Sequence, residues 1–582
     1  MTNRLRTGLI MLGSLTLLLA ACGSRQAAGK SPSMHVRTTN NHTAIKGGTL
    51  DAAVVSNSPF TGTFAPEFAE TTVDLNFAQF GLEPLFGVNR DYTFNQNGAA
   101  TLRLNRHART ATIKLRRNVR WADGHKVVAK DVEYAYEILA NKASNSSRYT
   151  DALANIKGMA AYHAGAAKSI SGINLPQGDN GRTVILHFKA LKPGMKRTGN
   201  GYIWEYAEPY HYLKNIPFAD LAKSSRMRSQ LLTFGPFRMT KVVNGQSVRY
   251  ARNRYYYRGM PHLQHVNVET LASSKATAAL KAKKYDVVFG MPSAQYTHYR
   301  RTSGYTMLTD QSMSYDYLAF NLGHFDQKTG RNVMNKHAKM ANQKLRQAML
   351  YALNVDAVVK KLYPGTRTRG TTLIPTAFGR YHLRTSGYTL NRTRARKLLD
   401  EAGYRKGKDG YRTDPDGHKL TVHLAVMQGD DTSDAMYADF MQQWRKVGLR
   451  VRLTTGRPIE FNSFYKMVAA NPATIDIIAG SWSLGAEPSP MALYGPQAPY
   501  NFSRFVSKRN TQLLEEIDGS RAFNDGYRVA VFKRWQKYML NEAAVAPLTY
   551  GVTVLPVSSR VKDLSLKPDN HWDDVAVTSA SR

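Results

Sequence analysis

Beyond residue 45 the chain alternates between two periodicities, and no stretch there reads as a flexible linker. In "KGGTLDAAVV" Leu50, Ala52 and Val54 recur at every second residue, the period of a strand with one buried face, and Gly47-Gly48 permits a turn before it. "ATLRLNRHARTATIKLRR" alternates again, through Ile113 and Leu115, and predicts a strand pair. "WADGHKVVAKDVEYAYEILAN" turns at Asp123-Gly124 and then switches to helical spacing at Val132, Ala135, Tyr136 and Leu139. Asp131 in the first turn suits the positive end of the helix dipole. "RTVILHFKA" returns to strand, and Asn244-Gly245 is the strongest short-range hairpin signal in the chain. "YDYLAFNLG" is an apolar strand with an abrupt turn after Asn321. "NQKLRQAMLYALNVDAVVKKLY" reads as a helix with Leu345, Ala348, Met349 and Ala352 on its apolar face. "KLTVHLAVM" and "TIDIIAGSW" are strands around a helix closed by Gly448. Mixed helices and strands with long crossovers predict an α/β architecture in several lobes. Without linkers, those lobes are expected to be joined by crossing strands rather than strung as beads.

A chain of 582 residues has one cysteine, Cys22. That excludes an internal disulfide and a cysteine-cluster metal site. Arg4 and Arg6 open a segment whose apolar run, Leu9 to Ala21, is too short to span a bilayer comfortably. Leu19, Ala20, Ala21 and Cys22 resemble the lipobox of bacterial lipoprotein signal peptides. The resemblance implies that Cys22 is lipidated, becomes the mature N-terminus and ties the protein to membrane lipid on the extracellular face. Gly23 to Ile45 has no acid and no aromatic residue and reads as a tether. Its "GKS" is no phosphate loop, because residue 24 is serine and no strand precedes it.

Lys plus Arg outnumber Asp plus Glu by 80 to 42, a formal charge of +38. On an intracellular chain this would suggest nucleic acid. Here the basic residues are spread widely and an export signal precedes them, so anionic envelope polymers are the expected partner and nucleic acid is not.

Several stretches together resemble the extracellular solute-binding proteins of oligopeptide ABC importers, the family 5 peptide-binding lipoproteins, and in particular those of Gram-positive bacteria. The most specific is "VRWADGHKVVAKDVEYAYEIL", where Trp121, Asp123, Gly124, Ala129, Asp131 and Val132 stand in the family's places. Val128 stands where the family commonly has a capping threonine, which weakens the cap by roughly 1 kcal/mol unless another group replaces it. Arg346, Gln347, Ala348 and Asp356, "ARKLLDEAGY" and "LLTFGPFRM" also match. The resemblance implies a periplasmic-binding-protein-like type II (cluster C) α/β fold, two-lobed, with an additional inserted domain and a hinged interlobe cleft. The expected divisions are 1–22 signal peptide with lipidated cysteine, 23–45 tether, 46–91 with 233–312 and 546–582 lobe I, 92–232 inserted domain, and 313–545 lobe II.

The same resemblance supplies the candidate site. "AGSWSLGAEPSPMALYGPQAPYNFSRF" matches Gram-positive relatives at Trp482, Gly485, Glu487, Pro488 and Asn501 to Arg504. In the family an acid near this loop, usually aspartate, can hold the ligand's α-ammonium, a role the resemblance implies for Glu487, with a structural role in the loop as the alternative. Ser481, Trp482 and Ser483 are candidate cleft walls, as are Asn57 and Ser58 after the first strand, and Phe320 and Asn321 in "FNLG". Arg504 is expected to clamp its own loop. The tyrosines at 255, 256 and 257 are expected to pack on their domain. A receptor for varied peptides must bind the shared backbone, by strand-like pairing, and leave roomy wet pockets for side chains.

No GxSxG elbow and no HExxH stretch is present, so the common serine-hydrolase and zinc-protease sites are absent. His262 and His265 in "HLQH" lack a third ligand nearby and read as surface or packing residues. The resemblance implies a function that is non-enzymatic and without cofactor or metal: a monomer that captures oligopeptides and docks on the transmembrane permease subunits of an ABC importer. Two other readings stay open, an envelope adhesin or scaffold on the same fold and an importer receptor for a non-peptide solute.

Overall fold

The computed structural model describes residues 34–429, 431–470 and 474–579. Cys22 and the apolar run before it lie outside the described residues. From Met34 the backbone follows the C-terminal segment. The Thr38 N–H donates to the Leu564 carbonyl at 2.9 Å and the Ile45 N–H to the Val577 carbonyl at 2.9 Å. Arg37 and Ala44 form bridges with Ser565 and Thr578. The tether expected to reach residue 45 therefore does not extend past residue 33. Its polar composition is no obstacle, because backbone pairing needs no apolar side chains.

The first strand, β1 (Thr49–Val55), enters lobe I. The chain then leaves for the inserted domain, whose sheet runs β2-β3-β5-β4. These strands are β2 (Ala100–Asn105), β3 (Thr110–Leu115), β4 (Ile173–Asn174) and β5 (Thr183–His187), with helix α1 (Ala129–Ala140) between β3 and β4. Leu85, Phe86, Ile113, Trp121, Val132, Tyr136 and Leu186 form its core, so the domain begins closer to residue 85 than to 92. The opposite face of α1 presents Tyr134 and Ile138 to the lobe I core, which welds the two units together. Val128 gives α1 no side-chain cap. Instead the Ala129 and Lys130 N–H groups donate to the carbonyls of Gly181 (2.8 Å) and Asp179 (3.0 Å), replacing the missing threonine.

Back in lobe I, β6 (Phe237–Val243) and β7 (Ser247–Arg252) form the hairpin, with Gly245 at φ +69°. β8 (His265–Leu271) and β9 (Val287–Phe289) flank β1 in parallel. The chain then crosses on β10 (Tyr305–Phe320), 16 residues long, into lobe II. There α2 (Gln343–Tyr351) and α3 (Val355–Leu362) replace the continuous helix expected over this stretch. Asn354 breaks it: its side chain accepts from the Ala357 N–H and starts a second helix. β11 (Arg367–Arg369), β12 (Val422–Val426), α4 (Asp431–Arg445), β13 (Val451–Leu453), β14 (Ile477–Ser483) and α5 (Asp525–Glu542) follow, together with helices at Arg392–Glu401, Phe461–Ala470 and Lys508–Asp518. The chain returns on β15 (Val545–Ser558).

One 11-stranded sheet runs through both lobes in the order β13-β12-β14-β10-β15-β9-β1-β8-β7-β6, with β11 on β15. β10 and β15 are the antiparallel crossing pair, from Leu308 opposite Leu555 in lobe I to Ala319 opposite Val545 in lobe II. Separate cores lie either side, one around Phe77, Val268 and Val557, the other around Met349, Trp444, Ile477 and Trp535. Among the described residues no helix is long and apolar enough to cross a membrane.

Candidate ligand-binding cleft

The crossing strands floor a cavity of about 370 Å³, within the range of small-ligand sites. Asp310, Gln311, Ser312, Met313 and Ser314 of β10 and Thr553 of β15 form the floor. Ser483 and Leu484 close one side, Tyr92 of the inserted domain another, and Leu566 a third. The floor is polar because pairing fails there. Gln311 lies opposite Val552 and Tyr315 opposite Tyr550, so three residues of β10 face the single Gly551. This bulge turns Ser312 and Ser314 toward the cavity. A Cβ on Gly551 would stand 2.9 Å from the Ser314 hydroxyl and 3.2 Å from that of Ser312, so a side chain there would push the two hydroxyls from their present positions. The carboxylate among the lining residues, Asp310, accepts two hydrogen bonds from Lys567, at 2.6 and 2.8 Å, and is neutralised. Tyr92 holds a left-handed backbone (φ +67°), fixed by the Thr198 N–H donating to its carbonyl. Burial, and then the Asp310 charge, push its phenol above the ordinary range.

The second component is a strand edge. β12 pairs with β14 only as far as Ala479. From Gly480 to Ser483 no described strand covers the side of β14 away from β10. The Leu484 N–H donates to the Met313 carbonyl and the Asn321 N–H to the Asp476 carbonyl. Antiparallel alternation between these two bonds points the main-chain groups of Ser481 and Ser483 outward, along the open edge. Side-chain alternation puts Ser481 on the same face of β14 as the cavity-lining Ser483, and Trp482 on the other. Trp482 is half-buried there, stacked with Phe502 (5.7 Å, 17°) and Tyr317 (5.9 Å, 9°) and edge-on to Tyr500.

The remaining expected site residues are used structurally. Asn57 and Ser58 are exposed on the loop after β1, and the Asn57 side chain accepts from the Ser273 N–H at 3.1 Å, capping the helix Ser273–Lys281. Neither lines the cavity. Phe320 is fully buried in the lobe II core and its N–H donates to the Ala544 carbonyl. The Asn321 amide donates to the Ile475 carbonyl at 2.8 Å. Phe320 therefore lies in the core, and half-buried Asn321 is engaged in holding the turn after the strand, so neither lines the cavity. Arg504 is buried and donates to Pro499, Asn332 and Val468, a clamp built on neutral acceptors rather than an acid. Burial lowers its pKa to about 10. Tyr256 and Tyr257 both donate to Glu83, as packing residues.

Glu487 takes the structural alternative in this structure. Its carboxylate is buried against Arg528, with Nη2–Oε1 at 2.5 Å and Nη1–Oε2 at 3.2 Å. Arg197 of the inserted domain approaches at 3.8 Å and donates through Nε to the Ala486 carbonyl at 3.1 Å. A Cβ on Gly194 would stand 2.8 Å from the Glu487 Cδ, so the inserted domain meets this loop through a glycine. Burial opposes the charge of Arg528, but Glu487 and Asp518 outweigh it and hold the guanidinium protonated. No ligand ammonium is needed to neutralise Glu487. It joins two units across the cleft mouth instead.

Sequence reasoning missed the floor. The signals were the polar run "TDQSMS" in the middle of a long strand and Gly551 in the middle of β15.

Comparison with known proteins places these features. The family described as bacterial extracellular solute-binding proteins, family 5 Middle, matches residues 97–503. The oligopeptide-binding protein OppA of Lactococcus lactis subsp. cremoris (strain SK11) is 38% identical over 581 residues, 97% of this chain and 96% of that protein. The structure of lactococcal OppA complexed with an endogenous peptide in the closed conformation superposes with a TM-score of 0.77 at 37% identity, covering 91% of this chain and 100% of that one. The unliganded open form of the periplasmic murein tripeptide binding protein MppA has a TM-score of 0.73 at 18% identity, covering 94% and 99%. The expected two-lobed α/β fold is borne out.

Proposed function

The chain belongs to the bacterial extracellular solute-binding proteins of family 5, and from that premise we propose that it captures oligopeptides and delivers them to an ABC importer. Its family is one of binding proteins rather than enzymes. The observation that carries the peptide reading is the open edge of β14 beside a polar cavity, in a chain 38% identical across nearly its whole length to an oligopeptide-binding protein. An extended peptide adds to such an edge through main-chain bonds at Ser481 and Ser483, independent of its sequence. The hydroxyl-lined, charge-neutral floor leaves room for waters that adapt to different side chains.

Binding energy then favours the closed arrangement, in which the inserted domain meets lobe II. The closed monomer docks on the membrane permease subunits. Acylated Cys22 holds it to the extracellular face of the membrane, where two acyl chains outlast one. The formal charge of +38 draws it toward anionic envelope polymers.

The test is mass spectrometry of ligands released from the purified full chain, with calorimetric rebinding of each. A set of peptides that rebinds is the expected result. An empty protein that ignores a broad peptide library overturns the reading.

A further inference from the structure

We infer that Asp123, His125 and His211 form a divalent transition-metal site on the inserted domain, of the class that takes Zn²⁺, Ni²⁺ or Cu²⁺. One oxygen, Oδ2 of Asp123, has the His125 Nδ1 at 3.0 Å and the His211 Nε2 at 2.9 Å. The three donor atoms lie within 4.8 Å of one another. Metal–nitrogen and metal–oxygen bonds of about 2.0–2.2 Å put neighbouring donors roughly 3 Å apart, close to the spacing already present. Two imidazoles and one carboxylate are a borderline donor set, suited to these ions and poorly suited to Mg²⁺ or Ca²⁺, which want oxygen.

The donors come from two segments that the fold locks together. Asp123 and His125 sit on the turn closed by the Gly124 N–H donating to the Trp121 carbonyl. His211 sits in the helical turn Tyr210–Leu213. Buried Asp131 joins the two. Its carboxylate accepts from the Trp121 indole (3.0 Å) and the Val128 N–H (2.9 Å) on one side, and from the Tyr210 N–H (3.0 Å) on the other. Such a fixed scaffold holds ligands near their working geometry before metal arrives. The Asp123 turn is itself pinned, its Oδ1 accepting from the His125 N–H at 3.0 Å.

The site remains open to solvent. The His125 side chain is 65% exposed, so water completes the coordination sphere and exchange is fast. The two rings now lie 4.2 Å apart, inclined at 30°. Metal entry requires each ring to carry its proton on the nitrogen away from Asp123, leaving His125 Nδ1 and His211 Nε2 as lone-pair donors, and requires His125 to rotate until its lone pair points at the same ion as that of His211, a movement its exposure permits. Sequence spacing conceals the group, since His211 lies 88 residues beyond Asp123.

The test is calorimetric titration of the metal-stripped, untagged full chain with ZnSO₄, repeated on His125→Ala, His211→Gln and the double variant. Asp123→Asn is a further comparison, because its amide oxygen still accepts from the His125 N–H. The expected result is one equivalent bound with micromolar affinity. Each single variant should weaken it about 10–100-fold, and the double variant should abolish it. Cu²⁺ bound in place of Zn²⁺ should give an electron paramagnetic spectrum with two nitrogen ligands. Unchanged thermal melting of the variants without metal separates lost binding from lost fold. Absence of stoichiometric Zn²⁺ binding, or binding that survives the double variant, overturns the inference.

Discussion

Replacing Arg197 by alanine isolates the contact between the inserted domain and lobe II. The side chain is almost fully buried, and its partners lie on the other side of the cleft. Its hydrogen bond to the Ala486 carbonyl comes from a charged donor, worth about 1.5–3 kcal/mol in the closed form. Its guanidinium also lies 5.3 Å from the Tyr381 ring centroid, adding about 0.5–2 kcal/mol. Against this, an opened cleft rehydrates the arginine, which cancels part of the sum. A net loss of about 1.5–3 kcal/mol from closure follows, or roughly 10–150-fold in apparent peptide affinity if binding requires closure. The substitution leaves no orphaned charge, because Glu487 keeps Arg528. Arg197→Lys should fall between, retaining charge without the planar fork. Calorimetry with a rebinding peptide gives the affinity, and small-angle scattering with and without peptide gives the closure. Both variants binding with unchanged affinity and unchanged compaction would refute the reasoning, and Arg197 would then be a passive filler of the cleft mouth.

Glu487→Gln should weaken free-amine and N-acetylated versions of one peptide equally, since its charge is met by Arg528 and Arg197. A loss confined to the free-amine peptide would restore Glu487 as the ligand's ammonium partner. Ser483→Pro removes an outward-pointing N–H while leaving the pairing with β10 intact, so peptide affinity should drop by about tenfold without loss of fold. Full affinity in that calorimetric titration would move the peptide backbone off this edge. Glu205, buried in the inserted domain, has its pKa raised by burial to about 7, against bonds from the Thr198 hydroxyl and the Gly199 N–H that act the other way. Between its usual 4.5 and about 7 the folded chain holds a proton that the unfolded chain has released, so stability falls as pH rises. The slope from this group is about 1.4 kcal/mol per pH unit, and Glu205→Gln should remove it in denaturant titrations across that window. Parallel stability–pH curves for the two proteins would contradict the assignment.

Local elements were legible where one signal dominated. Asn244-Gly245 made its hairpin, the alternation through Ile113 and Leu115 made its strand pair, and the lack of linkers foretold crossing strands. The helix over 343–362 broke because Asn354 prefers a cap to a helix interior, a local competition that apolar spacing does not register. At the site, Ser481 and Ser483 were reached through the resemblance, but their importance lies in main-chain direction, set by where β12 stops pairing. Phe320 and Asn321 failed because "YLAFNLG" is equally consistent with a wall and a core. Glu487 failed because its partners come from elsewhere, Arg528 41 residues on and Arg197 from a different domain. The family's most specific motif proved to be scaffold: Trp121 and Asp131 hold turn, helix and loop together.

The contacts across the cleft mouth are of a kind that suits the reversible closure proposed above. They are few, polar and arranged with one polarity. The inserted domain supplies cations, Arg106, Lys196 and Arg197. Lobe II supplies acceptors, the carbonyls of Ser520, Phe523 and Ala486, with Asp525 and Glu487 behind them. Each such bond is formed at the cost of removing a strongly hydrated group from water, which holds the gain per contact to a few kcal/mol at most. A broad apolar interface would have locked the mouth shut whether or not a ligand was present. Polar contacts of this kind leave the choice between forms to the differential affinity of a ligand. The same logic places the apolar cores away from the moving surfaces, on either side of the two strands that cross between them.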